Sequence, residues 1–256
     1  MQRWMRFEHA GAIHVGTLDA SGALKIHGGN LFEGPRPTGE TVMLSDVRVL
    51  APVIPSKFIG LWNNFHALAE KQGTPPPEEP LYFFKAPSSI IGHEEPIRRP
   101  PGYDGRVVYE GELGIVIGRR VRNADEAQAE AAIFGYTCVN DVTAQDVLMR
   151  DPAFTQWARA KSFDTFGSVG PVIATGLDPG TLTVRTSVND RERQNYPVAD
   201  MIFSPRALVS RISRELTLEP GDLIACGTSL GAGVLRPGST VAVSIDGIGE
   251  LKNTLE

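Results

Sequence analysis

Two glutamates one residue apart, Glu110 and Glu112, stand in the run Val-Val-Tyr-Glu-Gly-Glu-Leu-Gly-Ile-Val-Ile-Gly over 107–118. On a strand, side chains alternate between faces. Both carboxylates then share one face with Val108, Gly114 and Val116, while Tyr109, Leu113, Ile115 and Ile117 form the other. Such a pair commonly sits on the solvated face of an amphipathic strand, but here both faces are otherwise apolar, so the carboxylates repel each other and lose hydration. A cation resolves that conflict, and hard oxygen ligands select Mg²⁺, Mn²⁺ or Ca²⁺ over zinc. Asp141 offers a third oxygen ligand. It follows the apolar run Ile-Phe-Gly-Tyr-Thr-Cys-Val and Asn140, where a strand end can deliver an acid into a cleft; an ordinary turn aspartate is the alternative reading.

The elements that must position these groups are mostly strands. Residues 1–55 read as a small β-rich region, with strands over 7–18 and 23–27 punctuated by Asp19-Ala-Ser-Gly22 and Gly28-Gly29-Asn30, and with Pro52 and Pro55 marking a boundary. The remainder, 56–256, reads as one larger domain. Helical spacing over 59–72 places Leu61, Phe65, Leu68 and Ala69 on one side, with Gly73 as the stop. The prolines of Gly-Thr-Pro-Pro-Pro-Glu-Glu-Pro then enforce an irregular, exposed connection, suited to a lid or rim. Strands follow at Leu-Tyr-Phe-Phe-Lys-Ala, at 107–118 and at Ile-Phe-Gly-Tyr-Thr-Cys-Val. Asn123 with Glu126 resembles a capping box for an alanine-rich helix ending near Ala132. Ser204-Pro205 opens a helix with Val209, Ile212 and Leu216 on its apolar face. Strands close the chain at Leu-Ile-Ala-Cys-Gly-Thr-Ser, Thr-Val-Ala-Val-Ser-Ile-Asp and Gly-Ile-Gly-Glu-Leu-Lys-Asn. Strands dominate and the few helices do not alternate with them, so the pattern predicts a β-rich α+β fold; no glycine fingerprint opens a helix as a dinucleotide site requires.

Bulk properties narrow the function classes. A chain of 256 residues buries a substantial core, and a net charge of −5 with no basic or aromatic-basic stripe argues against nucleic acid as a partner. No apolar run approaches the roughly 18 residues of a membrane span, and the start lacks a signal-peptide core. Cys138 and Cys226 lie in apolar stretches without a Cys-x-x-Cys pair, which reads as buried reduced thiols and a cytoplasmic location.

In order and spacing, Tyr-Glu-Gly-Glu-Leu-Gly-Ile-Val-Ile-Gly, Asn-Asp-Val-Thr-Ala-Gln-Asp, Gln-Trp-Ala-Arg-Ala-Lys-Ser-Phe-Asp-Thr-Phe-Gly, Asp-Met-Ile-Phe-Ser and Gly-Asp-Leu-Ile-Ala-Cys-Gly-Thr-Ser resemble the fumarylacetoacetate hydrolase family. The resemblance runs from about Gly60 to the end. It implies a mixed β-sandwich roll, a homodimer, and Mg²⁺ or Mn²⁺ held by Glu110, Glu112 and Asp141. It also implies an active-site role for Lys161 near the carbonyl oxygen or carboxylate of a small oxo acid, a pocket-lining role for Thr228, and substrate contacts from Lys85 and Gln156.

The lid segment departs from the family. Relatives commonly show Gly-Leu-Asn-Tyr, then a histidine two residues on, then a glutamate three residues after that. Here His66 is in place, Ala69 stands at the glutamate position, and Glu70 comes one step later. Four residues apart is still one helical face, so a His66–Glu70 pair is geometrically open. Gln145 and Leu148 stand where relatives often carry Arg and Gln, which bears on substrate identity.

The resemblance implies a hydrolase cleaving a carbon–carbon bond in a 2,4-dioxo acid such as an acylpyruvate or fumarylpyruvate. In that reading His66, assisted by Glu70, activates water, and Lys161 neutralises charge on oxygen. The alternatives are an isomerase or decarboxylase of a 2-hydroxymuconate or 2-oxo-heptenedioate type intermediate of aromatic-compound catabolism, and a member that only binds metal or oxo acid.

Overall fold

A computed structural model describes all residues 1–256. The N-terminal strands are β1 (Gln2–His9), β2 (Ala12–Leu18), β3 (Ala23–Gly28), β4 (Arg36–Met43) and β5 (Arg48–Leu50). There follow β6 (Phe58–Trp62), β7 (Leu81–Lys85), β8 (Ile90–Ile91), β9 (Val107–Tyr109), β10 (Gly111–Ile117), β11 (Ile133–Asp141), β12 (Thr143–Ala144) and β13 (Gly167–Thr175). The C-terminal strands are β14 (Thr183–Val188), β15 (Arg191–Pro197), β16 (Leu223–Ala225), β17 (Gly233–Leu235), β18 (Thr240–Ile245) and β19 (Gly249–Thr254). Five α-helices accompany them: α1 (His66–Gln72), α2 (Glu126–Ala132), α3 (Gln145–Leu148), α4 (Trp157–Lys161) and α5 (Pro205–Glu215). The β-rich α+β class read from the sequence is the class observed, and no helix is long and apolar enough to cross a membrane.

One large sheet runs in the order β4-β3-β2-β1-β13-β11-β10-β16-β6-β7, with β5 added to β1 and β8 to β13. It is mixed: β16 pairs with β6, and β13 with β8, in parallel, while the other neighbours are antiparallel. A four-stranded sheet, β15-β14-β18-β19, packs Val184, Val243, Ile245 and Leu251 against Leu113, Ile115 and Cys138 of the large one. A short third sheet, β12-β9-β17, stands beside them. The N-terminal strands continue the large sheet, since Gln2, Arg3 and Trp4 of β1 lie opposite Thr175, Ala174 and Ile173 of β13.

Three local expectations change. The helix predicted over 59–72 begins only at His66, because Phe58–Leu61 is an apolar run buried between β16 and β7, where a strand satisfies its backbone on both sides. Gly73 is the left-handed cap (φ 64°) as predicted, and Thr74 N donates to Ala69 O at 2.9 Å. The cap of α2 is Asp125, paired reciprocally with Gln128, while Asn123 takes a left-handed conformation (φ 51°) before it. The strand expected over 7–18 is instead the β1–β2 hairpin, turning at Ala10-Gly11.

The strand read as continuous over 107–118 breaks at Glu110. Before the break β9 pairs with β12 and β17; after it β10 pairs with β11 and β16. The cause lies at Gly111: its N–H donates to Gln194 Oε1 at 2.9 Å, and a Cβ built there would stand 2.0 Å from Thr186 Oγ1. Only glycine lets the four-stranded sheet approach this closely. Gly111→Ala is therefore expected to destabilise the protein by about 1–3 kcal/mol through overpacking. A thermal melt that leaves Tm unchanged would remove Gly111 from this account.

Candidate functional site

Glu110 occupies the break between β9 and β10, Glu112 is the second residue of β10, and Asp141 ends β11. One carboxylate oxygen from each lies within 4.8 Å of the other two. The break does not scatter the pair: Glu110 N donates to Asn140 Oδ1 at 3.0 Å, and Asp141 N donates to Glu110 O at 2.8 Å. Two side chains hold the intervening glycine from the opposite side. Gly111 O accepts from Tyr196 Oη at 2.5 Å and Thr228 Oγ1 at 2.9 Å. Gln194 Nε2 in turn donates to Thr228 Oγ1 at 2.8 Å.

Two lysines enter the same cluster. Lys161, the last residue of α4, donates to Glu110 Oε2 at 2.7 Å and Asp141 Oδ2 at 2.6 Å. Lys85, the last residue of β7, donates to Asp141 Oδ1 at 2.5 Å and to Val142 O at 3.3 Å. The side chains of Glu112, Asp141 and Lys85 are inaccessible to solvent, whereas Glu110 keeps 20% of its side chain exposed. Three carboxylates and two ammoniums leave the cluster one negative charge when all are ionised.

The groups respond unequally to this setting. Burial opposes ionisation of Asp141, but the ammoniums of Lys161 and Lys85 outweigh it and hold the carboxyl below its ordinary range. For Glu112, burial and then repulsion from Asp141 and Glu110 push the carboxyl well above that range. Glu110 is raised too, by burial that exceeds the pull of Lys161. Burial lowers Lys85, while Lys161, also desolvated, is raised because Asp141, Glu110 and Glu112 surround it.

Glu112 is the member whose partners are incomplete. Oε2 accepts from Gly227 N at 2.8 Å, but Oε1 is buried with no hydrogen-bond partner. A buried anionic oxygen left unpaired costs free energy unless a cation or a proton reaches it. At Mg²⁺–oxygen lengths of about 2.1 Å, adjacent oxygens of one octahedral shell lie about 3.0 Å apart and opposite ones about 4.2 Å, so the three acids would draw together around a shared ion. These residues fit a divalent cation.

The cluster opens through Glu110 and Lys161 into a cleft of about 590 Å³. Aromatic rings form one wall: Phe83 stacks on Trp157 with centroids 5.5 Å apart, Trp62 tilts against Trp157 at 5.8 Å, and Lys161 Nζ lies 5.1 Å from the Phe83 centroid. The other wall is the turn from Thr228 to Val234.

Not every residue singled out in the sequence reaches this cleft. Thr228 lines it. Lys85 does not; it lies behind Asp141 with no exposed surface, its ammonium bound to that carboxylate. Gln156 caps α4 and its Nε2 donates to Phe154 O at 3.1 Å, outside the cleft lining. His66 and Glu70 are exposed and form no hydrogen bond or ion pair with each other. At 100° per residue they share one side of α1, while Leu68, Lys71 and Gln72, which line the cleft, share the opposite side. The pair drawn from the lid segment is thus turned away from the site. Gln194 and Tyr196, which brace Gly111, carry no sequence signal, because the polar run Arg-Glu-Arg-Gln-Asn-Tyr-Pro reads as a solvated strand.

Residues 57–256 match the fumarylacetoacetate hydrolase C-terminal family, and residues 2–52 match the N-terminal region typified by protein Rv2993c. The structure superposes on 2-hydroxyhepta-2,4-diene-1,7-dioate isomerase from Mycobacterium marinum with a TM-score of 0.91 and 37% identity, covering 100% of this chain and 98% of that one. The oxaloacetate tautomerase YisK of Bacillus subtilis is 37% identical over 83% of this chain and 74% of its own. Maleylpyruvate hydrolase from Sphingobium sp. SYK-6, solved with manganese(II) and pyruvate, gives a TM-score of 0.81 at 25% identity, covering 99% and 98%. The family match over four-fifths of the chain and these relatives agree with the acidic cluster and its cleft: the chain belongs to the fumarylacetoacetate hydrolase family of enzymes.

Proposed function

We propose that this protein is a divalent-cation-dependent tautomerase, interconverting the enol and keto forms of a small 2-oxo dicarboxylic acid. The observation that carries the reading is the pairing of an incomplete buried carboxylate cluster with a cleft that contains no water-activating base. Of the residues lining the cleft, the ionisable ones are Glu110, Lys161 and Lys71, and none is a histidine. Glu110, Glu112 and Asp141 would hold the cation, Mg²⁺ or Mn²⁺, which supplies charge to stabilise an enolate. The donors of Lys161, now committed to Glu110 Oε2 and Asp141 Oδ2, would turn to a substrate oxygen if those carboxylates held a cation. A lysine held protonated beside the enol oxygen would give its proton to the enol carbon, and the neutral amine so formed would take the proton of the enol hydroxyl, so that the lysine ends as it began. Phe83, Trp62 and Trp157 make that face of the cleft apolar, which favours proton return over hydrolysis.

The likeness to maleylpyruvate hydrolase supports a second reading, the carbon–carbon hydrolysis of a 2,4-dioxo acid. With Mg²⁺ or Mn²⁺, the protein is expected to speed the decay of the enol absorbance of freshly dissolved oxaloacetate, to lose that effect with EDTA, and to release no pyruvate from acetylpyruvate. Pyruvate release without acceleration of oxaloacetate ketonisation would replace the tautomerase reading with the hydrolase one.

A further inference from the structure

The cleft contains two cations of unlike standing. Lys161 is bound to Glu110 and Asp141 at its floor. Lys71, in the last turn of α1, lines the same cleft and has no carboxylate partner. Lys71 is exposed at the rim, and the helix places it there, because α1 turns Leu68, Lys71 and Gln72 toward the cleft. Gly73 in its left-handed cap and the Asn63 Nδ2 bond to Pro75 O at 3.1 Å tie down both ends of that turn.

Charge balance says what this cation is for. With all five groups ionised the buried cluster carries one net negative charge, and a divalent ion would make it one net positive. The 2-oxo carboxylate nearest the ion cancels that charge. A second carboxylate at the far end of the substrate would lie in an aromatic cleft with nothing to offset it except Lys71. A buried group beside the cleft points the same way: Ser229 is among the lining residues, is 1% exposed, and its hydroxyl has no hydrogen-bond partner. At the positions near Asp141 where a further cation might be sought, Gln145 and Leu148 are neutral, and both line the cleft.

The geometry points to Lys71 as the residue that selects a dicarboxylic substrate, by pairing with its distal carboxylate. This rests on the tautomerase reading for the identity of the proximal group, and the test separates the two. Binding to the Mg²⁺-loaded protein is measured by calorimetry for oxalate, for 2-oxoglutarate and for 2-oxopentanoate, the last two differing only in the distal carboxylate. The unaltered protein is expected to prefer 2-oxoglutarate by about tenfold, a preference that shrinks with added salt. Lys71→Met should abolish the preference by weakening 2-oxoglutarate alone, Lys71→Arg should restore it, and neither should change oxalate binding. With a dicarboxylate substrate, Lys71→Met should raise KM with little change in kcat. If Lys71→Met leaves the preference intact, or weakens all three ligands equally, the assignment fails. If oxalate does not bind in a Mg²⁺-dependent way to any of the proteins, the metal-centred reading itself fails.

Discussion

Glu112→Gln is expected to make the cation-free protein more stable and the enzyme inactive. Its carboxylate is fully buried, has one oxygen without a partner, and faces two further carboxylates. The amide keeps an oxygen for Gly227 N and turns a donor toward its acidic neighbours, so removing the charge should stabilise the empty protein by about 1–3 kcal/mol. On the proposed reading the same change deletes a ligand of the cation. If the cation contributes several kcal/mol to the transition state, loss of its site lowers kcat/KM by about 10³-fold or more. Mg²⁺ should raise the Tm of the unaltered protein and leave that of the variant unmoved.

The pH dependence follows with a definite sign. Because the Glu112 carboxyl is raised in the folded state, the native protein holds a proton that the unfolded chain has already lost, between the ordinary carboxylate range and the raised value. Across that window the stability contributed by this group falls as pH rises. In denaturant melts without metal, the slope of stability against pH should flatten in Glu112→Gln. A variant that is less stable than the parent at neutral pH, or one that still shows a Mg²⁺-induced shift, would contradict the role given to this carboxylate.

How far the sequence exposes such a site depends on whether a residue's role is local or comes from across the fold. Glu110, Glu112 and Asp141 are legible because carboxylates on apolar strands violate the alternation that otherwise explains every neighbouring residue. The class of fold was legible for the same reason, since period-two patterning and turn residues dominate most segments. The break at Glu110 was not. It arises from Thr186 and Gln194, which are more than 70 positions away and approach only because Gly111 has no side chain. The α1 face is not legible, because the apolar residues of β6 fit the helical spacing as well; with the helix starting at His66, the side that meets the cleft carries Lys71, and the His66–Glu70 side faces solvent. Lys85 was legible only as a lysine ending a strand, and its partner shows its function.

That partner supplies the most severe test of the cluster as a unit. Asp141→Asn should destabilise the protein by about 3–5 kcal/mol, in contrast to the gain expected for Glu112→Gln, because it strips Lys85 and Lys161 of the one carboxylate they share. Lys85 has no exposed surface, and burial already lowers its proton affinity, so with asparagine at 141 the ammonium keeps only neutral acceptors, the amide oxygen and Val142 O. Activity should fall with the ligand. Adding Lys85→Met to Asp141→Asn removes the stranded charge, and a double-mutant cycle should recover a large part of the lost stability while recovering none of the activity or metal binding. Those outcomes would separate the functions proposed for the pair, Lys85 keeping Asp141 ionised and aimed and Asp141 holding the cation. Single and double variants of equal stability would mean that the buried ion pair contributes nothing to holding the carboxylate in place, and the argument that the site is pre-formed around Asp141 would be lost with it.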